Sequence, residues 1–398
     1  GGQFRISLLK KFENGSFRIY GKLLDDRTAA YMPMPMKVTG TDSNPNWGSL
    51  SSYNALTGAM QTINLTKDFT MGGDGNVLSS DISDGMHSVS KTIGGEFNYD
   101  FGDGWKLSEK ARFSANSGQF IAPFPASVGS YNDIISSVSG YNSAVYAGTN
   151  TAASTSGTYM LMILFNTKLN NFNNFVNDFN LSKKWDGVKV NAGLYKGIQN
   201  VSMSWLWNSY LQEVSDNNAR MIDVKNALGQ SLSPNGLLAY GVPAWGNCCT
   251  RNYDTKYDVT APYAQIEVNA IDKLSLDFGA RYDIGNVTGS FAGGNGQTSA
   301  IDMNGNGTID PNEQKVATVG NNITPVNYDY NIFGYSVGAN YAINDKNAVF
   351  ARISKGGSAS ADRILFSGYN YTNTDDKALD AVKVNEVKQM EGGYKLRG

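Results

Sequence analysis

Apolar and polar residues alternate along many stretches of this 398-residue chain. The clearest stretch is 274–284, where Leu, Phe, Ala, Tyr and Ile alternate with Ser, Asp, Gly and Arg. The same pattern covers 93–101, 188–194, 264–270 and 333–341. A period of two residues predicts β-strands, each with one apolar face and one polar face. We therefore expect an all-β protein.

The connections between these strands are alternately short and long. Asn-Gly and Asp-Gly pairs supply the positive φ angles of two-residue hairpin turns. Short turns are predicted at Glu13-Asn14-Gly15-Ser16, Gly102-Asp103-Gly104, Trp185-Asp186-Gly187, Asp272-Lys273 and Asn344-Asp345-Lys346. Long stretches rich in Gly, Asn and Ser lie at about 28–88, 116–172, 212–250, 287–328 and 357–382. Short periplasmic turns and long extracellular loops are typical of an outer-membrane barrel, whereas a soluble sandwich lacks this two-ended bias.

The predicted fold is an antiparallel transmembrane β-barrel that forms a single domain over residues 1–398. We count ten or eleven strands, and the last begins near Val384. Complete bacterial barrels close with an even number of strands, and an unpaired edge in lipid costs several kcal/mol for each backbone group. The chain also begins without Met, and its end, EGGYKLRG, lies inside a predicted strand. We therefore expect it to be part of a larger barrel.

The six tryptophans fall into two groups. Trp105 and Trp185 lie beside short turns, where a membrane–water boundary would favour amphipathic rings. Glu109 interrupts the apolar face of the strand that begins at Trp105, so either a bulge shifts the register or that end lies outside the lipid. The other tryptophans either pack within loops and anchor the boundary, or stack on flat ligands such as sugars and aromatic siderophores. They are Trp47, Trp205, Trp207 and Trp245.

Composition and motifs narrow the function. The net charge of −2 and the pI near 5.6 lack the basic footprint of nucleic-acid binding, so we expect no such partner. The longest apolar run, Tyr159 to Phe165, is far shorter than the roughly 20 residues of a membrane helix. A single histidine, His87, excludes a His-based zinc cluster within this chain and leaves a catalytic triad without an orienting motif. The paired carboxylates Asp25-Asp26 and Asp375-Asp376 are expected on a solvated surface, so we predict no enzyme.

The two cysteines, Cys248 and Cys249, are adjacent. This spacing is neither a metal-binding pattern nor a CxxC redox motif. They are either two thiols in a loop or a vicinal disulfide, which would require an oxidising compartment.

One loop contains a pattern that is typical of calcium sites. In IDMNGNGTIDPNE, the spacing matches the twelve-residue calcium loop, and Gly307 falls at position six, where a sharp turn is needed. Calcium prefers six to eight oxygen ligands, so we predict a weak calcium site over 302–313 that stiffens an external loop. The alternative is a turn rich in Gly, Asn and Asp that binds no ion. The predicted ligands are Asp302, Asn304, Asn306, Thr308 (through its carbonyl), Asp310 and Glu313.

Four segments resemble the barrel of TonB-dependent outer-membrane receptors. They are YGKLLDDRTAAYMPMPM (20–36), GWKLSEKARFSANSGQFIAPFP (104–125), APYAQIEVNAIDKLSLDFGARYD (261–283) and FARISKGGSASADRILF (350–366), and the terminal VKQMEGGYKLRG resembles a strand of the same family. The resemblance implies a barrel of about 22 strands with a plugged lumen in the bacterial outer membrane. It further implies contact with membrane lipid and lipopolysaccharide, and uptake of a scarce nutrient energised by the TonB complex. We find neither the family's plug nor its TonB box in this chain.

Three other functions compete with a transporter. A passive porin would have a constriction loop and no plug before the barrel. A secreted, calcium-stabilised β-rich adhesion or binding module would dissolve without detergent and would have polar outward strand faces. A hydrolase is disfavoured by the single histidine and the missing motifs. The joint pattern of alternation and loop asymmetry favours the transporter.

Overall fold

The computed structural model describes residues 1–293, 297–319, 323–360 and 377–397. Within these ranges, neither helix is long and apolar enough to span a bilayer. The helices are α1 (Tyr131–Ile134) and α2 (Lys377–Val382), with 3-10 turns at Ile82–Asp84, Pro234–Gly236, Pro243–Trp245 and Pro311–Glu313. The strands are β1 (Gly2–Phe12), β2 (Gly15–Thr28), β3 (Lys37–Thr41), β4 (Asn44–Gly48), β5 (Lys67–Met71), β6 (Val77–Asp81), β7 (Met86–Gly102), β8 (Trp105–Ser130), β9 (Ser143–Tyr146), β10 (Thr158–Asn171), β11 (Asn174–Trp185), β12 (Val188–Leu206), β13 (Asn208–Glu213), β14 (Ile222–Lys225), β15 (Leu237–Ala239), β16 (Thr250–Ile271), β17 (Leu274–Ala292), β18 (Thr298–Ser299), β19 (Val316–Ala317), β20 (Ile323–Asn344), β21 (Asn347–Ala359) and β22 (Val384–Leu396).

One antiparallel sheet carries the fold. Its order is β1-β2-β7-β8, then β10 and β11, then β12-β16-β17-β20-β21-β22. The strands β10 and β11 form one line, because β8 pairs with β10 through 118–130 and with β11 through 105–114. Likewise, β13 continues β12 and pairs with the far end of β10. Within the described ranges the sheet therefore has eleven consecutive positions, which confirms the all-β antiparallel prediction and agrees with its higher strand count.

The five predicted short turns are all confirmed. Each joins neighbouring strands through two residues at the same rim of the sheet. The backbone explains the residue choice at two of them. Asp103 and Gly104 adopt φ of 49° and 79°, and Lys273 adopts φ of 62°, the left-handed region that a tight hairpin needs.

One face of the sheet is apolar near the short turns, where its residues form rows that cross the strands. One row joins Val190, Ile266, Phe278, Val337, Ile353 and Met390 through direct cross-strand pairs. Phe278 is 41% exposed, so this row does not enter an internal core. Along β17, alternate apolar residues run from Leu274 to Ile284. Ten steps of about 3.4 Å, on a strand tilted by roughly 40°, cover about 26 Å, which matches the apolar band of an outer-membrane barrel.

The opposite, polar face carries charged rows. The next row over joins Lys189, Glu267, Asp277, Arg352 and Glu391 through the same strand pairs. Arg352 Nη2 lies 2.9 Å from Asp277 Oδ1, and Lys189 Nζ lies 3.8 Å from Glu267 Oε1. The two faces therefore differ as a lipid-facing and a water-facing surface would.

Neither expectation for Glu109 describes its position. The pairing of β8 with β7 and with β11 is continuous around this residue, so no bulge shifts the register. Glu109 is flanked in register by Phe97 and Phe179, which belong to the apolar rows. It therefore lies on the apolar face, within the apolar band.

The predicted loop bounds were wrong where strands leave the apolar band. The loop expected over 116–172 is shorter, because β8 continues to Ser130 and β10 begins at Thr158. Here Met162 and Leu164 are buried on one face of β10, and Ile163 is buried on the other. A strand covered on both faces is apolar at successive positions and loses its alternation, so residues 159–165 could not be assigned from pattern.

Candidate functional site

Three of the four tryptophans outside the short-turn rim come together in space. Trp205 lies at the end of β12, Trp207 lies between β12 and β13, and Trp245 lies in the loop before β16. Trp47 does not join them, since it lies on the exposed hairpin β3–β4 and is 61% exposed. The structure therefore separates one predicted ligand-contacting tryptophan from the other three.

Planar groups stack in a ladder around these tryptophans. The ring centroids of Phe165 and Trp207 are 3.8 Å apart, with an angle of 8° between the rings. Trp207 and Trp205 follow at 4.9 Å and 9°. The guanidinium of Arg251 lies 4.1 Å from the ring centre of Trp205, within cation–π range. We call these four residues the aromatic ladder.

The strand register places the ladder on the polar face of the sheet. Trp205 pairs with Thr167 in β10 and with Arg251 in β16. It lies an even number of residues from Lys189 along β12, in a pairing without a bulge, so both side chains point to the same face. Trp207 Nε1 donates to Thr167 Oγ1 at 3.1 Å, which fixes the indole plane.

Trp245 covers the open side of the ladder from a compact loop. Its ring lies edge-on to Phe124 at 5.9 Å and to Phe165 at 6.5 Å, and it remains 37% exposed. The backbone of Cys248 donates to the carbonyl of Trp245 at 3.2 Å. Cys248 and Cys249 are disulfide-bonded, which selects the second of the two predicted alternatives. Cys249 is buried against the ladder, so the disulfide connects the Trp245 loop to it.

A second polar region lies nearer the short turns on the same face. Tyr263 Oη donates to Asp178 Oδ1 at 2.8 Å. Arg281 donates to Asp283 at 2.7 Å and stacks over Tyr195 at 4.6 Å. These side chains line an open cavity of about 970 Å³. The cavity wall combines cations, carboxylates and phenols, which is typical of a surface that binds polar groups or water.

A buried carboxylate holds the loop over 29–85 to the sheet. Asp68, in β5, is fully buried and accepts hydrogen bonds from Tyr210 Oη at 2.7 Å, Asn208 Nδ2 at 2.8 Å and Asn166 Nδ2 at 2.9 Å. Burial raises the pKa of Asp68 to about 6, although the three donors act in the opposite direction. Asp68 is 98 residues from its nearest partner in sequence, so no local pattern could have identified this contact.

The chain matches a known family over most of its length. The family described as TonB dependent receptor-like, beta-barrel matches residues 36–398. The chain belongs to this family. The siderophore receptor PiuA from Acinetobacter baumannii is similar to it, with 11% identity, a TM-score of 0.45, and coverage of 96% of this chain and 45% of that one. The closed form of the ferric-catecholate import receptor Fiu from E. coli K12 has 12% identity, a TM-score of 0.47, and coverage of 99% and 53%.

This chain therefore spans about half the length of these solved receptors. No curated protein matches it. Membership of the TonB-dependent receptor-like barrel family confirms the predicted resemblance and assigns the two faces of the sheet. The apolar face is the lipid-facing side of a barrel wall, and the polar face, with the aromatic ladder, is the lumenal side.

In this receptor barrel the predicted calcium ligands lie in one compact loop. Asp310 Oδ2 accepts from the amides of Asn304 at 2.9 Å and Asn306 at 3.1 Å, and Asp302 accepts from the backbone N–H groups of 305–307. Glu313 is buried and accepts from the backbone N–H groups of 303, 304 and 310. Among the described residues, no group of three or more acidic, His or Cys side chains is arranged to hold a metal. The calcium site stays a prediction.

Two of the residues weighed for catalysis, His87 and Asp25, lie together in the barrel wall. The two side chains come from neighbouring strands, and His87 Nε2 lies within hydrogen-bond distance of Asp25 Oδ1, at 2.9 Å. The pair Asp375-Asp376 lies outside the described residues. The family is one of receptors and not of enzymes.

Proposed function

We propose that this chain forms part of an outer-membrane receptor that imports a scarce nutrient with energy from the TonB complex. Family membership, the lipid-facing band and the polar lumenal face support an outer-membrane location. The proposal extends to the whole protein, in which a plug and a TonB contact would supply the energised step. Membrane lipid, lipopolysaccharide and the nutrient are the expected partners, and nucleic acid is not.

The observation that carries the proposal is the aromatic ladder on the lumenal face. Flat, weakly polar rings bind the flat faces of aromatic siderophores or of sugars, and they bind such ligands better when other rings already hold them in place. Trp245 lies beside the ladder and is 37% exposed, so it is the ring that a ligand would meet first. The proposed ligand is therefore a molecule with flat rings that enters from the side of the long loops.

The test replaces Trp245 and Trp205 separately by Ala in the full receptor. Trp47→Ala is the matched control, because Trp47 is more exposed and lies apart from the ladder. We expect at least 10-fold weaker binding for either variant, and unchanged binding for the control. Ferric catecholates and oligosaccharides are titrated as separate arms to distinguish the two ligand classes. Unchanged binding of every ligand by both variants would contradict the proposed site.

Energised uptake is distinguished from a passive porin by its dependence on the proton gradient. We expect uptake by cells to stop when the gradient is dissipated, while ligand binding at the cell surface continues. Uptake that continues at the same rate without the gradient would favour the porin.

We also propose that the 302–313 loop binds calcium weakly, on the order of 10⁻⁴–10⁻³ M. The Asn304 and Asn306 amides now donate to Asp310, so both amides would rotate to present their oxygens to an ion. The Asp302 and Glu313 carboxylates both accept from backbone N–H groups, so each would have to share its oxygens with the ion or give up some of these hydrogen bonds. Calorimetry of the receptor with calcium, against an Asp302→Ala/Glu313→Ala pair, tests the site. Equal heats in the two proteins would refute it.

A further inference from the structure

Glu109 is a carboxylic acid on the face of the wall that meets hydrocarbon. It lies in register between Phe97 and Phe179, and Phe179 is 41% exposed on the same face. Glu109 follows Trp105 by four residues. Trp105 and Trp185 flank Lys183, whose Nζ lies 5.2 Å and 5.7 Å from their ring centres, at the short-turn boundary.

This position is deep in the apolar band. Four residues of a tilted strand place Glu109 roughly 10 Å beyond the Trp105 ring, near the middle of a band about 25 Å tall. Other outward acidic residues lie farther along their strands: Asp258 is 14 residues from the turn residue Asp272, and Asp329 is 16 residues from Asp345. Ionisable groups at this depth are rare and tend to mark functional contacts.

Glu109 and Asn177 form a pair with unused hydrogen-bonding capacity. Asn177 Nδ2 donates to Glu109 Oε1. Among the residues that the structure describes, Glu109 Oε2 has no donor, and the second hydrogen of the Asn177 amide has no acceptor. One acceptor and one donor therefore lie side by side, facing lipid tails that can satisfy neither.

The surface beside this pair is recessed. Gly95, Ala111 and Asn177 are consecutive in register across three strands. A Cβ atom added at Gly95 would meet only a backbone oxygen, at 3.7 Å, so the recess has open space above it. Small residues of this kind let two membrane-embedded surfaces approach closely. The rings of Phe97 and Phe179 flank the recess.

We propose that this surface binds a second copy of the receptor within the membrane. The unused acceptor and donor are self-complementary under a two-fold axis normal to the bilayer. Glu109 of each copy accepts from Asn177 of the other, which closes a ring of four hydrogen bonds. A partner must present one hydrogen-bond donor and one acceptor at the same depth in the membrane. The Asn177 and Glu109 side chains of a second copy present both, each opposite its complement.

Photo-crosslinking in intact outer membranes tests the interface. The full receptor carries p-benzoylphenylalanine at position 179, beside Glu109, or at position 278, on a distant strand. Phe179 and Phe278 are matched, because both face lipid and both are 41% exposed. We expect a crosslinked product of twice the receptor mass from position 179 and none from position 278.

The variants separate the polar pair from general contact. Glu109→Leu and Asn177→Leu should each lower the position-179 crosslink at least 10-fold. Glu109→Gln should retain it, because its Oε1 still accepts from its own Asn177 and its new NH2 group can donate to Oδ1 of Asn177 in the second copy. Folding of each variant is checked by heat-modifiable migration, and leucine suits a lipid-facing position. The proposal is overturned if the wild-type receptor gives no dimer, if position 179 captures a protein of another mass, or if folded Glu109→Leu crosslinks as the wild type does.

Discussion

Neutralising Asp68 should remove a pH dependence from the docking of hairpin β5–β6. The carboxyl is fully buried, and burial raises its pKa from 3.8 to about 6. Because the folded pKa lies above the unfolded one, the stabilising contribution is complete below pH 3.8 and is lost as the pH rises through about 6. The total is about 3 kcal/mol, since each pKa unit corresponds to 1.36 kcal/mol.

This magnitude fixes the expected measurement. Between pH 4 and pH 7 the opening equilibrium of residues 67–81 should rise roughly 50-fold in the wild type, which follows from the two pKa values by linkage. In Asp68→Asn the increase should vanish. The neutral amide still accepts from Tyr210 and Asn208, and the Asn166 amide can rotate to accept from it. Hydrogen exchange of this hairpin, corrected for the intrinsic effect of pH, measures the equilibrium.

A control in the same hairpin isolates the buried carboxyl. Asp74 is exposed, and hydrogen bonds from Asn76 lower its pKa, so Asp74→Asn should leave the loss of protection between pH 4 and pH 7 in place. The reasoning is refuted if Asp68→Asn and the wild type lose protection equally over this range. It is also refuted if Asp74→Asn abolishes the loss.

Two further predictions concern the barrel wall. Phe278→Arg should destabilise the folded receptor by about 2–4 kcal/mol, because it places a cation in the apolar band. Ser275→Arg, on the polar face, should cost less than about 1 kcal/mol. Chemical unfolding in lipid vesicles measures both changes, and equal losses of stability would contradict the assignment of faces. Gly187→Ala should lower the free energy of unfolding by more than about 1 kcal/mol, because Gly187 has φ of 68° and an added Cβ would lie 2.7 Å from the Ala270 backbone. The same unfolding assay measures this loss, and a stability equal to that of the wild type would contradict the prediction.

The barrel wall could be predicted from the sequence because the patterns that indicate its strands and turns are local. The alternation over 274–284 and the Asp-Gly turns at 103–104 and 186–187 are local signals, and the turns fix the register. The strand extensions beyond the band could not be predicted. In β10 both faces are covered by loops from distant parts of the chain, so its apolar residues carry no period.

The sequence predicts which residue types could contact a ligand, but it does not predict which of them lie together. The tryptophans were recognised as ring-stacking groups, but only the pairing of β10, β12 and β16 shows that Trp205 and Trp207 meet and that Trp47 does not. Phe165 and Arg251 were missed, because neither has a local feature that marks it. Their role depends on neighbours 40 or more residues away, and a sequence pattern does not contain that information.

Hairpin β3–β4 has a practical consequence for following the receptor on living cells. All ten of its strand residues, from Lys37 to Thr41 and from Asn44 to Gly48, are exposed. The packing of the barrel therefore does not restrict which residues occupy these positions. An epitope spliced between Asp42 and Ser43 would extend from the outer surface without entering the ladder or the Asp68 contact. Antibody staining of unbroken cells would then count receptors independently of any ligand.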